Sequence, residues 1–296
     1  MIRKAFFTVS TAGLWGQQKL SLEDSIALAA ELGYDGVEIM TKRPHLSVLD
    51  YSVEDCHRLA ERIKKYGLEV AALAGYTNFT GGMEAAEVPF TEMQVLYVTE
   101  LARRAQVLGC DLVRVFTSYD RGEVSPARQW QMTVESIREC CKRAAEFGVS
   151  IGVQNHHDVA VDTRSYVEFL RQVDCENLVP LYDCWSVYLR GEDVRAGVRQ
   201  MAGKMRFTTV ADYIVLPRWR YRPELVNYQP CDPPFVQAVP MGEGDLDYEG
   251  FFGALVESGF DGWVSYENCS PLRGGGSLEN LKAYSRKFLE YMKRFG

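Results

Sequence analysis

The stretch Gly148-Val-Ser-Ile-Gly-Val-Gln-Asn-His-His-Asp158 decides the fold. A short apolar run, Val149–Val153, stops abruptly at five polar residues, Gln154 to Asp158. A strand covered by helices on both faces shows no apolar–polar alternation, and it delivers side chains to a site at its carboxyl end. Gly148 closes a helical pattern over Pro126–Phe147, and Thr163 caps another running to Val173. The repeating unit is therefore helix, buried strand, polar tip, helix.

Working outward, the same unit recurs along the chain. Strands are expected at Lys4–Val9, Gly36–Met40, Glu69–Leu73, Asp111–Phe116, Val149–Val153, Leu178–Tyr182, Met205–Thr209 and Gly262–Tyr266. Helices are expected from the Ser21 cap, at Val53–Tyr66, Thr91–Leu108 and Pro126–Phe147, from Thr163, near Glu192–Met201, at Tyr248–Ser258 and at Ser277–Arg294. Eight βα units without a linker predict one α/β domain over residues 1–296, a single (β/α)8 TIM barrel. An open doubly wound sheet is the competing topology, but no Gly-x-Gly-x-x-Gly follows the first strand. Between Val210 and Asp247 neither a helical nor an alternating period is evident. A long loop after the seventh strand is expected there, stiffened by prolines from Pro217 to Pro240 and carrying Arg218, Arg220 and Arg222 among aromatics.

Composition narrows the function. Of 296 residues, 47% are hydrophobic and 25% charged, an ordinary balance for a folded domain, and no apolar run reaches the ~20 residues of a membrane helix. The eight cysteines form no Cys-x-x-Cys pair, which argues against a zinc knuckle or a disulfide framework. The start, Met1–Ser10, has an apolar part too short for a signal peptide and interrupted by Thr8 and Ser10, so it reads as a first strand and the protein as cytoplasmic. A net charge of −7 disfavours nucleic acid as a partner.

In a barrel, alternate strand residues point inward and the last of them line the mouth. That parity turns Glu38, Arg114, Gln154, Asp183, Thr209 and Glu267 inward, with Asn155, His156 and His157 on the rim. Six polar residues from six segments are not what a packing core selects. Glu38 and Arg114 also read as a structural ion pair, Thr209 as a satisfied barrel residue, and the histidines as a loop or cap pair. Asp183 and Glu267 are harder to explain as structure, because acids are seldom buried without partners.

Val239-Pro-Met-Gly-Glu-Gly-Asp245 and Gly259-Phe-Asp-Gly-Trp-Val-Ser-Tyr-Glu267, together with the strand-five phrase, resemble the xylose-isomerase-like barrels. That sugar phosphate isomerase/epimerase superfamily includes tagatose-type epimerases, inosose dehydratases and barrel endonucleases, and the likeness spans nearly the whole chain. It implies one divalent metal held by Glu, Asp, His and Glu from strands five to eight, with both glutamates moving a proton beside the substrate carbonyl. Asp183 and Glu267 match. Gln154 stands for the first glutamate, Thr209 for the histidine three residues before an aspartate (here Asp212), and Ser186 for a substrate-binding histidine. An amide is no base at neutral pH, so the two-glutamate shuttle cannot run as in the family. The resemblance leaves Gln154, Asp183 and Glu267 as an oxygen-rich set suited to Mg²⁺ or Mn²⁺, bound more weakly than by the full set or not at all. His156 or His157 would then serve as the second acid/base or as a nitrogen ligand. The barrel endonucleases use further histidines that this chain lacks.

Substrate contacts are expected from Glu38, Arg114, Asn155 and Thr209, from Arg218 in the long loop, and from Arg273 beside the helix-capping run Gly274-Gly-Gly-Ser277. The functional expectation is a sugar or keto-sugar isomerase, epimerase or lyase, with Glu267 as base and a small sugar or polyol, neutral or anionic, as ligand. The alternative is a metal-free sugar- or acid-binding barrel that has lost the chemistry. A subunit of a larger complex, its site completed by a partner chain, is a third reading, and self-association into a homo-oligomer is a further expectation.

Overall fold

The computed structural model describes residues 1–82 and 87–296. Strands β1 (Ile2–Phe7), β2 (Gly36–Met40), β3 (Glu69–Ala74), β4 (Leu112–Phe116), β5 (Ser150–Gln154), β6 (Leu178–Leu181) and β7 (Phe207–Val210) precede a hairpin of β8 (Asp212–Arg222) and β9 (Asn227–Val239); β10 (Gly262–Tyr266) closes the series. Eight of them form one parallel sheet in the order β6-β5-β4-β3-β2-β1-β10-β7, nearly closed on itself with helices between the strands, as a (β/α)8 TIM barrel requires. Every residue of β2, β4 and β10 is buried, which is why these strands read as apolar runs. The first strand lies two residues earlier than expected, and it ends at Phe7 because Thr8–Thr11 tightens into a 3-10 turn.

The barrel is laddered everywhere except between β6 and β7. Pro180 in β6 has no N–H to give a neighbour, which suits a strand at a sheet edge. The seam is crossed by a side chain instead, Thr208 Oγ1 donating to the Tyr182 carbonyl at 3.0 Å.

The helices are α1 (Leu22–Leu32), α2 (Val53–Lys65), α3 (Phe90–Val107), α4 (Pro126–Ala145), α5 (Thr163–Val173), α6 (Cys184–Tyr188), α7 (Val194–Met201), α8 (Tyr248–Glu257) and α9 (Leu278–Met292). Ser21 and Ser52 cap α1 and α2 through the N–H groups of Asp24 and Asp55. At α5 the cap is Asp162, not Thr163: the Asp162 carboxylate accepts from Ser165 N at 3.0 Å. Thr163 is the first helical residue, and its hydroxyl bonds the Tyr182 hydroxyl at 2.6 Å.

That buried Tyr182 hydroxyl leaves no room opposite it in α7. A Cβ on Gly197 would stand 1.8 Å from the Tyr182 oxygen. Gly197→Ala should therefore cost about 1–3 kcal/mol in urea unfolding through overpacking. Gly253→Ala, in α8 with open space at its Cβ, should gain about 0.5–1 kcal/mol from helix propensity.

The segment expected as a long loop is a long antiparallel hairpin. Trp219 faces Pro230, Arg220 faces Gln229 and Tyr221 faces Tyr228. Arg218-Trp-Arg-Tyr-Arg222 does alternate with period two, but the prolines hide the pattern. A two-stranded ribbon consists only of edges, so it admits prolines that an inner strand would not. The base of the ribbon, at Asp212 and Val239, is buried; Trp219, Tyr221 and Tyr228 farther out are exposed.

Candidate active site

The strand tips bring together all six residues expected to point inward. Glu38, Arg114, Gln154, Asp183 and Thr209 are buried, and Glu267 follows β10. Above them opens a cavity of about 630 Å³, half enclosed and walled largely by aromatic rings.

Arg114 is the centre of the arrangement. Its Nε lies 3.0 Å from Glu38 Oε1, and its Nη1 donates to Gln154 Oε1 at 2.7 Å. The Nε and Oε1 atoms are close but not aligned as a hydrogen bond, so charge holds this contact; Nη2 has no hydrogen-bond partner among the described residues. The guanidinium carbon stands 4.3 Å from the Phe116 ring centre and 5.2 Å from that of Phe7. Glu38 Oε2 accepts from Thr209 Oγ1 at 3.2 Å. Burial raises the Glu38 carboxyl above its ordinary range, and Arg114 opposes that rise.

Asp183 caps α6, its Oδ1 accepting from Trp185 N at 3.1 Å. Its Oδ2 accepts from Ser186 Oγ at 2.6 Å. Because the Ser186 proton is committed there, the 3.3 Å contact with His156 Nδ1 has the ring donating and the hydroxyl accepting. The chain His156–Ser186–Asp183 thus fixes the imidazole and leaves Nε2 without a hydrogen-bond partner among the described residues, the geometry of an oriented acid/base. Burial lowers the His156 pKa, and Asp183 opposes that shift.

Its neighbour has other surroundings. His157 sits at φ 76°, with its ring 4.4 Å from Phe116 and stacked at 4.1 Å on Tyr119. Burial, then His156, Arg114 and Lys42, push its pKa down to about 3, so it is a neutral part of the wall. Asn155 does not reach the cavity. It is fully buried, accepting from Asp183 N at 2.6 Å and donating to Val161 O at 2.9 Å, a strut that sets the backbone of Asp183.

Glu267 is partly open to the cavity but enclosed by protein. Burial raises its carboxyl to about 7; Arg114 and the Cys269 thiol pull it down, while Glu38 and Asp183 push it up.

Two residues expected at the site lie elsewhere. Arg218 sits out on the hairpin, donating to Pro233 O at 2.9 Å. Arg273 pairs with Glu243, and Asn280 Nδ2 fills the glycine-rich turn by donating to the carbonyls of Gly275 and Arg273. That turn packs against residues 16–18 and offers no open cradle to an anion.

Lys42, Tyr76 and Tyr119 line the cavity but escaped the sequence reading. For two of them a signal existed. Met40 and Ala74 are the last inward residues of β2 and β3, and the same parity carried two residues further reaches Lys42 and Tyr76.

A divalent metal would find Asp183 and Glu267, but Gln154 Oε1 already accepts from Arg114 and the Thr209 hydroxyl is turned to Glu38. No three His, Cys, Asp or Glu side chains among the described residues are gathered as a metal requires. The fixed positive charge beside the acids is Arg114. The residues present do not fit the metal that Gln154, Asp183 and Glu267 were expected to hold.

A nearly closed parallel barrel with its polar groups at the carboxyl ends defines a (β/α)8 protein with a candidate small-molecule site at the barrel mouth. The chain belongs to the xylose isomerase-like TIM barrel family, whose model matches residues 26–294. Its relatives are epimerases and dehydratases. Fructoselysine 3-epimerase of Escherichia coli O157:H7 is 20% identical over 93% of this chain and 94% of its own length. Inosose dehydratase of Geobacillus thermodenitrificans is 23% identical over 84% and 82%. Among solved structures, the IolI protein with a bound zinc atom superposes with a TM-score of 0.76 at 18% identity, covering 99% of both chains. The probable 3-DHS dehydratase of Bacillus anthracis gives 0.73 at 18%, also over 99% of both. At these identities the structural likeness speaks for the fold. No helix among the described residues is long and apolar enough to cross a membrane.

Proposed function

We propose that this chain is an enzyme that moves a proton at the carbon beside the carbonyl of a small polyhydroxylated ketone, leading to isomerisation, epimerisation or elimination. The observation that carries this reading is Glu267, a carboxyl raised to about 7 on the floor of a half-enclosed cavity. A group near that value is half ionised at neutral pH, where a general base works best. Glu267 takes the proton from carbon. Arg114, held by Glu38 and Gln154, places a fixed positive charge where the enolate oxygen develops. His156, oriented through Ser186 on Asp183, serves as the second acid/base on the far side of the substrate. That division gives one glutamate and one histidine the work shared by two glutamates in the family's epimerases.

The amide at 154 and the hydroxyl at 209 favour a second reading, a barrel that binds sugars or acids without turning them over. Incubation with ketohexoses and inososes in D₂O, followed by proton NMR, separates the two. Loss of the C–H signal beside the carbonyl is expected for the enzyme. Retained signal in a ligand that demonstrably binds would leave the binding barrel as the function.

A further inference from the structure

Two acids and two cations stand on opposite sides of the barrel mouth. Around the sheet, β2 stands opposite β6 and β4 opposite β10. Asp183 and Glu267 follow β6 and β10; Lys42 follows β2, and Arg114 lies on β4. Asp183 and Glu267 therefore face the two cations across the mouth; Glu38 on β2 pairs with Arg114 and leaves Lys42 as the cation without an acid, with Tyr76 between the two cations.

Lys42 is the cation without a role so far. Its Nζ lies 3.8 Å from the centre of the Tyr76 ring, on the cavity wall. Among the described residues it has no ion pair and no hydrogen bond, whereas Arg114 is engaged by both Glu38 and Gln154. An ammonium half removed from water and close to a second cation is disfavoured; half-burial and Arg114 both lower its pKa. A negative group placed beside it would relieve that disfavour. The neutral His157 and the aromatic rings nearby add no charge of their own.

We propose that the site takes an anionic substrate, a sugar acid or keto acid whose carboxylate is held by Lys42 on the Tyr76 side while its polyol chain reaches toward Glu267. This deepens the reading of the site given above and rests on it for the orientation of the chain. One free ammonium balances one negative charge, which matches a carboxylate better than a phosphate dianion. The glycine-rich turn at 274–276, the place where barrels often hold phosphate, is filled by Asn280 and packed against residues 16–18. Recognition of the anion thus lies after β2, two strands round the barrel from the turn after β10 to which the glycine pattern points.

The test uses three ligands with one open carbon skeleton, D-gluconate, D-glucitol and D-glucitol 6-phosphate. Their binding is measured by calorimetry on the full-length protein carrying Glu267→Gln, so that no chemistry is involved. Gluconate is expected to bind at least about tenfold more tightly than glucitol, a difference of about 1.4 kcal/mol. Adding Lys42→Met should abolish that preference and leave glucitol affinity and the melting temperature unchanged, while Lys42→Arg should retain part of it. Equal affinity for gluconate and glucitol, or a preference that survives Lys42→Met, would overturn the proposal. Tightest binding of the phosphate ester would overturn the choice of carboxylate. Because binding is read on an inactive variant, carboxylate selectivity without C–H exchange in the unmodified protein would sink the proposed chemistry alone.

Discussion

Glu267→Gln should lower kcat/KM by about 10³-fold, within the range for losing a general base, or about 4 kcal/mol of transition-state stabilisation. The amide keeps the shape and removes the proton acceptor, so ligand affinity should stay within a few-fold. In the unmodified enzyme kcat/KM should rise with pH and level off above about 7, because the base must be ionised and its carboxyl is raised to about 7. Stability should move the other way. The folded-state value exceeds the ordinary 4.5, so between about 4.5 and 7 the folded state keeps a proton that the unfolded chain has released. The contribution of this group is fully present below 4.5 and is lost as pH rises through 7. Urea titrations across that window should show a shallower decline in Glu267→Gln than in the parent. An unchanged slope, or a variant with full turnover, would remove Glu267 from the role assigned to it.

Glu38→Ala should destabilise the fold by about 3–5 kcal/mol, because it leaves the Arg114 guanidinium buried without its acid. Gln154 would remain as a neutral acceptor, too little to offset a desolvated charge. Replacing both members, Glu38→Leu with Arg114→Met, should recover most of that loss, since a buried ion pair is often no better for stability than apolar groups of similar volume. Urea midpoints of the single and double variants check this. If the double variant is as stable as the parent but inactive, the pair is retained for the site and not for the fold. A single variant within 1 kcal/mol of the parent would mean that Arg114 finds another partner.

Much of the architecture was legible because strand geometry has a strict period of two. Once the tips of β5 and β10 were located, parity alone turned Gln154 and Glu267 inward, and the same count placed Glu38, Arg114, Asp183 and Thr209. What escaped depends on contacts distant in sequence or on local turns. The link from Asp183 to His156 needs Ser186, which reaches the His156 ring only because Asp183 starts the short helix α6 directly at the strand end. Asn155 looked like a rim residue, yet it is a strut, since Val161 and Asp183 happen to flank its amide. Arg218 and Arg273 stand out in the sequence by charge, and charge alone does not say which way a side chain points. The hairpin was obscured by prolines, which count against a strand inside a sheet but not in a free ribbon.

The seam between β6 and β7 has a dynamic meaning. Elsewhere in the barrel each strand is clamped by ladders on both sides, so its amide protons are released to solvent only by cooperative opening. Along the seam the clamp is one threonine hydroxyl, the bond from Thr208 to Tyr182. Asp183 directly follows that carbonyl on one lip, and Thr209 directly follows Thr208 on the other. The line of least resistance in the cylinder therefore runs under the candidate site. Across the seam itself that one bond joins the two lips, while Asp183 is held from its own side by Asn155 and Thr209 by Glu38, whose strand lies in the laddered arc.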